Sequence, residues 1–240
     1  MSISTSLDFE LYQSYTAKWN EFLLASGLSS SQLENSRRLF TNESLSNHQP
    51  ETCKLEVYAL VGGVPFPDPL LAYILAIQSQ IKNILKHTLH YLVEPHNLGL
   101  EFCVFKWPND IISMHEVNTI AIALSKCVFP SFFLRSGGIQ VHTDGCIILR
   151  GFENGALSSI RSHLSRLPIT YPFKQSQWAH IPLGRILEHI TDNQYQQIVE
   201  LCSNTQLDPG IQLTIDHAHF VHEKQWYMVQ HSKILKLDLK

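Results

Sequence analysis

The sequence predicts an α+β protein built from antiparallel sheets with helices packed on their outer faces. Three observations predict this class. Hydrophobic residues make up 44% of the 240 residues and charged residues only 16%, so the chain is able to bury a sizeable core. Segments with alternating apolar residues and segments with helical spacing follow one another without a strict βα order. An Asp144-Gly145 pair separates two apolar runs, which is typical of a β-hairpin.

The first 50 residues differ from the rest and predict a helical extension. Aromatic residues recur there at helical spacing, and Gly27 follows as a stop signal. Residues 31–34, Ser-Gln-Leu-Glu, fit a capping box that opens a second short helix. Residues 44–52 are interpreted as a linker. The predicted organisation is therefore a helical N-terminal extension, residues 1–50, followed by a main domain, residues 54–240.

The main domain predicts strands and helices in mixed order. Predicted strands cover residues 55–61, 98–105, 178–183, 211–221 and 226–237, with a hairpin over residues 132–152. Predicted helices cover residues 70–84, 117–124, 157–167 and 195–202. The two halves are similar in element order, but spacing alone does not establish an internal repeat.

Charge and cysteine content exclude several classes of protein. The formal net charge is -3, which argues against binding of duplex nucleic acid by bulk electrostatics. The five cysteines are odd in number and show no CxxC spacing, so we predict a reduced, cytoplasmic protein. We expect neither a secretory signal nor a membrane span, because no sufficiently long apolar run occurs. The oligomeric state stays open.

The most informative segment is Trp-Ala-His-Ile-Pro-Leu-Gly-Arg-Ile, residues 178–186. Alternate side chains of a strand share a face, so His180 and Pro182 are predicted to face away from the core. A histidine on an open strand face, followed by Gly184 and Arg185, fits an acid/base group beside an anion site. The alternative is a solvent-facing histidine next to a turn glycine and a surface arginine.

Residues 180–186 resemble the second signature of the two-histidine (2H) phosphoesterase superfamily, usually His-x-Thr-Leu-Gly-Arg, whose members are relatives of RNA 2′,3′-cyclic phosphodiesterases. The element order of residues 54–240 also resembles that family. The resemblance implies two pseudo-symmetric lobes of antiparallel sheet around a central cleft. It implies metal-free hydrolysis of cyclic phosphate or phosphodiester bonds of nucleotides or RNA ends. One histidine takes a proton from the attacking hydroxyl, and the other protonates the leaving oxygen.

This sequence departs from the family pattern at three of the four signature positions. Gly99 stands where the resemblance implies the first histidine, Glu101 where it implies the first threonine, and Pro182 the second threonine. The catalytic prediction is therefore His180 as acid or base with Glu101 as its replacement partner. The predicted substrate-binding residues are Arg185, Pro182, Gly99 and Tyr58. The alternative hypothesis is a catalytically inactive protein that binds a nucleotide, RNA or another anion on the same fold.

Two further motifs have structural interpretations. Residues 106–110, Lys-Trp-Pro-Asn-Asp, resemble a biotin–protein ligase signature, but the phosphate-binding loop of that family is missing. We favour a strand end and a Pro turn, with Asn109 or Asp110 capping the next helix. His217 and His219 share a strand face, and His142 is a third candidate metal ligand. No complete ligand set is visible, so the sequence predicts no metal and no cofactor.

Overall fold

Two antiparallel sheets form the protein, described by a computed structural model for residues 4–206 and 210–240. The helices are α1 (Ser4–Leu24), α2 (Ser30–Arg37), α3 (Asn42–Ser46), α4 (Asp68–Ile84), α5 (Met114–Ser125), α6 (Ala156–Leu164) and α7 (Asp192–Gln206). The strands are β1 (Val57–Gly62), β2 (His90–Leu92), β3 (Leu100–Lys106), β4 (Phe132–Val141), β5 (Cys146–Phe152), β6 (Ala179–Ile186), β7 (Gln212–Ile215), β8 (His217–Gln225) and β9 (Gln230–Asp238). The predicted α+β class and the Asp144-Gly145 hairpin are confirmed.

Each sheet belongs to one lobe and carries its own helices. One sheet has the strand order β3-β1-β8-β9, and the other has the order β2-β6-β5-β4-β7. Helices α5 and α6 contact the four-stranded sheet, whereas α7 contacts the five-stranded sheet. Helix α4 joins the latter through the buried Gln78, which donates to the carbonyls of Val93 and Leu183. The two-lobed architecture with outer helices is therefore confirmed.

Two helices of the main domain begin at start signals that can be read from the sequence. A capping box opens α5, since Ser113 Oγ accepts the Glu116 N–H and the Glu116 carboxylate accepts the Ser113 N–H. The prediction that Asn109 or Asp110 caps this helix was wrong. Proline at the first turn opens α4, whose apolar stripe is fully buried at Leu70, Ile74 and Ile81.

Two strand predictions needed correction. Residues 211–221 are not one strand, because the chain breaks at Asp216 and passes from β7 in one sheet to β8 in the other. The three-residue strand β2 was missed because its pairing with β6 is non-local. A Cβ atom on Gly184 would lie 2.3 Å from the Tyr91 carbonyl oxygen, so β2 packs where only glycine fits.

The N-terminal extension is packed against the five-stranded sheet. Tyr15 of α1 is fully buried on β5, and its hydroxyl lies 3.3 Å from the Gly151 carbonyl oxygen. Its ring contacts Trp178 with centroids 4.9 Å apart. Helix α1 therefore covers part of the sheet surface beside the cleft. The boundary between extension and main domain stays a prediction.

Two predictions about this extension were wrong. Helix α2 begins at Ser30 after the cap residue Ser29, whose side chain makes no capping bond, so the predicted box at residues 31–34 does not form. The predicted linker, residues 44–52, begins inside α3, which Thr41 caps by accepting the Ser44 N–H. Leu45 is buried there, because this segment packs into the main core.

We expect Tyr15→Ala to lower the free energy of unfolding by roughly 3–5 kcal/mol, because a fully buried aromatic side chain is lost. Tyr15→Phe is the matched control and should cost about 1–2 kcal/mol, since only two long hydrogen bonds between the hydroxyl and the Gly151 backbone are removed. Denaturant unfolding measures both. Wild-type stability in Tyr15→Ala would contradict the packed position of α1.

Candidate functional site

A cavity of about 350 Å³ lies between the two lobes and receives side chains from both sheets. Strands β1, β3 and β8 line one side, and β5 and β6 line the other. Its lining residues are Val57, Ala59, Val61, Asn97, Gly99, Glu101, Trp107, Cys146, Lys174, Gln175, Ser176, His180, Pro182, Arg185, Glu223, Trp226, Tyr227 and Met228. Most of this wall is apolar, with a small number of polar groups that reach into it, as is usual for ligand sites.

Strand parity on β3 places Glu101 in this cavity. Leu98, Leu100 and Phe102 are fully buried on the opposite side, in the main core. Gly99 and Glu101 alternate with them and line the cavity. The structure therefore brings together five of the six sequence-predicted site residues, the exception being Tyr58.

Tyr58 lies on the other face of β1. Its ring stacks on His222 with centroids 4.3 Å apart, and it also contacts Phe220 in the core. The neighbouring Val57 and Ala59 line the cavity in its place. The predicted role of Tyr58 in substrate binding is corrected accordingly.

The space next to Gly99 is closed. A Cβ atom at this position would lie 2.5 Å from Val61 Cγ1 and 3.2 Å from Met228 Cε. The side chain of a β-branched valine on a strand has few alternative rotamers. An imidazole on residue 99 therefore has no room unless its apolar neighbours are displaced.

Glu101 carries a buried carboxyl group. Its Oε1 is enclosed and has no hydrogen-bond partner in the described part of the chain. Burial raises the pKa of Glu101, and the nearby Arg161 guanidinium partly opposes this. Arg161 itself is held by backbone carbonyls, since it donates to Phe102, Glu101 and Trp178.

His180 is a neutral imidazole in the same cavity. It lies on β6, paired with Arg150 of β5, and its ring meets the edge of Trp178 with centroids 6.0 Å apart. Its Nδ1 is enclosed and unpartnered among the described residues. Burial, together with the nearby charges of His142 and Arg161, lowers the pKa of His180 to about 4. His180 therefore offers an uncharged ring at neutral pH.

Arg185 holds several elements together at the edge of the cavity. Its Nε donates to the Tyr227 hydroxyl at 2.9 Å, and its Nη1 pairs with Asp144 at 3.0 Å. Nη1 also donates to Ser36 of α2, so the guanidinium joins β6, the hairpin, the chain after β8 and the extension. These contacts give Arg185 a structural role, and its predicted role in substrate binding stays a prediction.

Glu223 is a cavity residue that the sequence reasoning missed. Its Oε1 accepts the Met228 N–H at 2.9 Å. Burial and repulsion from Glu101 together raise the pKa of Glu223 to about 7, and the bond from the Met228 N–H only partly opposes this rise. The sequence carried only a weak signal, because Glu223 shares a strand face with the buried Val221 but other polar residues also occur along this strand.

The backbone beside Glu223 has a conformation that is uncommon for residues other than glycine. Tyr227 and Met228 have φ values of 61° and 55°, both in the left-handed region. This turn directs the Met228 N–H at Glu223 and the Tyr227 hydroxyl at Arg185. Unfavourable backbone geometry of this kind is found at ligand sites more often than elsewhere.

The biotin-ligase-like residues lie outside the central cavity except for Trp107. Lys106 is buried and donates to the carbonyl oxygens of Glu56 and Trp107. Asp110 accepts the Trp107 N–H at 3.0 Å, which closes a turn. Both charged groups of the motif are therefore used within the fold.

The three candidate metal ligands do not come together. His217 and His219 contact each other on β8, with ring centroids 5.3 Å apart. His142 follows β4 of the other sheet and meets the edge of Trp178. Within residues 4–206 and 210–240, no group of three His, Cys, Asp or Glu side chains is placed to hold a metal ion.

Comparison with solved structures identifies the fold. TT0787 of Thermus thermophilus is 12% identical, with a TM-score of 0.52 over 76% of this chain and 97% of that chain. Escherichia coli LigT in its apo form is 13% identical, with a TM-score of 0.50 over 78% of this chain and 99% of that chain. The chain has the two-histidine phosphoesterase fold. The predicted resemblance to that superfamily is confirmed at this level.

A nucleotide complex is also among the similar structures. Escherichia coli LigT complexed with 3'-AMP is 14% identical, with a TM-score of 0.47 over 78% of this chain and 99% of that chain. No protein-family model and no curated protein matches this sequence. In the described ranges, none of the helices combines the length and the apolar character that crossing a membrane requires.

We expect Gly99→Ala to lower the free energy of unfolding by roughly 1–3 kcal/mol, because its Cβ overlaps Val61. Adding Val61→Ala removes the overlapping methyl group. The double variant should therefore lose less stability than the sum of the two single variants. Purely additive losses in denaturant unfolding would contradict the closed position at residue 99.

The raised pKa of Glu223 makes stability depend on pH. Because its folded pKa of about 7 exceeds the ordinary value of 4.5, the folded state holds the proton more tightly. This contribution is complete below pH 4.5 and is lost as the pH rises through 7. Between these limits, wild type should lose at most about 3 kcal/mol relative to Glu223→Gln.

Denaturant unfolding of wild type and Glu223→Gln across this pH range measures the effect. The pKa of His180, lowered to about 4, acts in the opposite direction, but subtracting the variant cancels that contribution. A difference that is constant with pH would show that Glu223 titrates normally.

Proposed function

We propose that this protein binds a small molecule in the central cavity and does not act as a two-histidine phosphodiesterase. The ligand's polar group would meet Glu101, His180 and Glu223, and its apolar part would pack on the valine and tryptophan side chains of the wall. The observation that carries this proposal is the closed space at Gly99, the position where the resemblance implies the first catalytic histidine.

The electrostatics of the cavity support the same proposal. The cavity is lined by two buried carboxyl groups and a neutral imidazole, each of which disfavours a phosphate anion or fails to attract it. Arg185 is already paired with Asp144, so its charge is largely balanced. Burial of a large apolar surface against the apolar wall favours binding of such a ligand. A phosphodiester would instead lose its hydration there, which opposes binding.

A second candidate is cyclic-phosphate hydrolysis by His180 and Glu101, as the resemblance first implied. One observation favours it: the two environments shift the pKa values of His180 and Glu101 in opposite directions. A neutral His180 would take a proton from water, and a protonated Glu101 would give one to the leaving oxygen. A protonated Glu101 would also not repel the phosphate.

We propose a cytoplasmic location, which the five free thiols support. We also propose that its ligand is not a duplex nucleic acid, given the net charge of -3. Nucleotides and RNA ends belong to the second candidate function.

Binding is tested by thermal shift and isothermal titration calorimetry with neutral aromatic probes such as indole and phenethyl alcohol. We expect both to stabilise wild type and to lose binding at least about tenfold in Ala59→Trp, which fills the cavity. Ala72→Trp, at an exposed position of α4, is the matched control and should bind like wild type. If neither these neutral probes nor a charged analogue of phenethyl alcohol, amine or carboxylate, binds wild type, small-molecule binding is rejected.

The hydrolase candidate is tested with nucleoside 2′,3′-cyclic phosphates in the presence of a chelator. We expect no turnover above that of His180→Ala, because one general acid–base group of the pair is absent. Turnover in wild type that drops about 10²-fold or more in both His180→Ala and Glu101→Gln would instead establish the second candidate.

A further inference from the structure

We propose that the ligand of the central cavity is a singly charged organic amine with an apolar body, whose ammonium group lies between Glu101 and Glu223. This inference rests on the proposed binding function and names its ligand class. Both carboxyl groups line the same cavity, and they belong to β3 and β8, on either side of β1. An ammonium group is therefore able to approach both from within one site.

Among the described residues, neither carboxyl group forms a salt bridge, although the charge of the nearby Arg161 partly opposes the raised pKa of Glu101. Glu101 Oε1 is enclosed without a partner among the described residues, and Glu223 accepts backbone N–H groups from Met228 and Tyr227. Ionisation of two buried carboxyl groups that repel each other is unfavourable unless a cation is present. A bound ammonium supplies that charge and donates hydrogen bonds to both.

The protein's own cations near the cavity are already engaged. Arg185 pairs with Asp144 and Tyr227, and Arg161 donates to three backbone carbonyls. Lys174 is exposed at the rim of the cavity, where its Nζ lies over the Trp107 ring. None of these side chains forms a described salt bridge with Glu101 or Glu223, so the place next to both carboxyls is left for a ligand.

Aromatic side chains complete a surface that suits a cation. Trp107, Trp226 and Tyr227 all line the cavity. Lys174 lies 5.5 Å from the centre of the Trp107 ring, so one of these rings already attracts a cation. The valine face of β1 supplies the contact for an apolar body.

Charge also decides against the alternatives. An anionic ligand would add a third negative group to two carboxyls in a site of low dielectric constant. A neutral ligand leaves the repulsion between the two carboxyls in place and gains only ordinary hydrogen bonds. A protonated amine removes the repulsion and gains charge-assisted bonds, so it is the ligand class that this cavity favours.

The groups that face Glu223 define the pH dependence. They are Glu101 of β3, His180 of β6 across the cavity, and His231 of β9, which is the cross-strand partner of Glu223. Burial raises the pKa of Glu223 to about 7, so its charged form becomes abundant only above neutrality. Amine binding should therefore strengthen as the pH rises through 7 and should release protons, while neutral probes bind independently of pH.

The test is isothermal titration calorimetry of the full chain with phenethylamine, phenethyl alcohol and 3-phenylpropionate at pH 6 and pH 8. We expect phenethylamine to bind at least about tenfold more tightly than the alcohol at pH 8 and the carboxylate to bind weakest. Glu223→Gln and Glu101→Gln should weaken the amine about tenfold or more without affecting the alcohol. Glu200→Gln, at an exposed site on α7, is the matched control.

The outcomes separate this inference from the proposed function. If the alcohol binds as tightly as the amine, or the carboxylate binds most tightly, the amine is rejected while ligand binding stands. If none of the probes binds, both are rejected. Should a Gln variant fail to fold, wild type is titrated with phenethylamine in two buffers of different ionisation enthalpy, which measures the protons released on binding. The absence of proton release overturns the proposal.

Discussion

The buried guanidinium of Arg185 is the contact on which the cleft depends. It comes from the five-stranded sheet and reaches Tyr227 beyond the end of the four-stranded sheet, while Asp144 and Ser36 hold its other side. Removing any one partner would leave a buried charge incompletely bonded, which costs several kcal/mol. Both lobes and the N-terminal extension are thus fixed in relation to one cavity, and the arginine's charge is balanced before a ligand arrives.

The engagement of Arg185 decides which polar groups the cavity offers to a ligand. With Arg185 engaged, the groups that reach the ligand space are two carboxyls with raised pKa values and an imidazole whose pKa is lowered to about 4. Burial is the main cause of all three shifts. The closed space at Gly99 belongs to the same arrangement, because Met228, which helps to close it, also donates its N–H to Glu223.

The alternation of side chains between the two faces of a strand made part of the cavity wall predictable from the sequence. It placed Gly99 and Glu101 on the cleft side of β3, with Leu98 and Leu100 in the core. The Asp144-Gly145 turn was equally local. Glu223 was not predictable, because its importance comes from the left-handed turn at 227–228 and from a sheet exchange at residue 216. Both are set by tertiary packing, which single-sequence patterns do not encode.

The most direct measurement is a carbon-13 NMR titration of the glutamate side-chain carboxyls from pH 4 to pH 9, with and without phenethylamine. Glu223 should titrate near pH 7 in the free protein. The amine should lower this midpoint by about one pH unit or more, since a neighbouring cation favours the ionised carboxyl. A midpoint close to 4.5, or one that the amine leaves unchanged, would show that Glu223 is not a buried carboxyl poised to receive a cation.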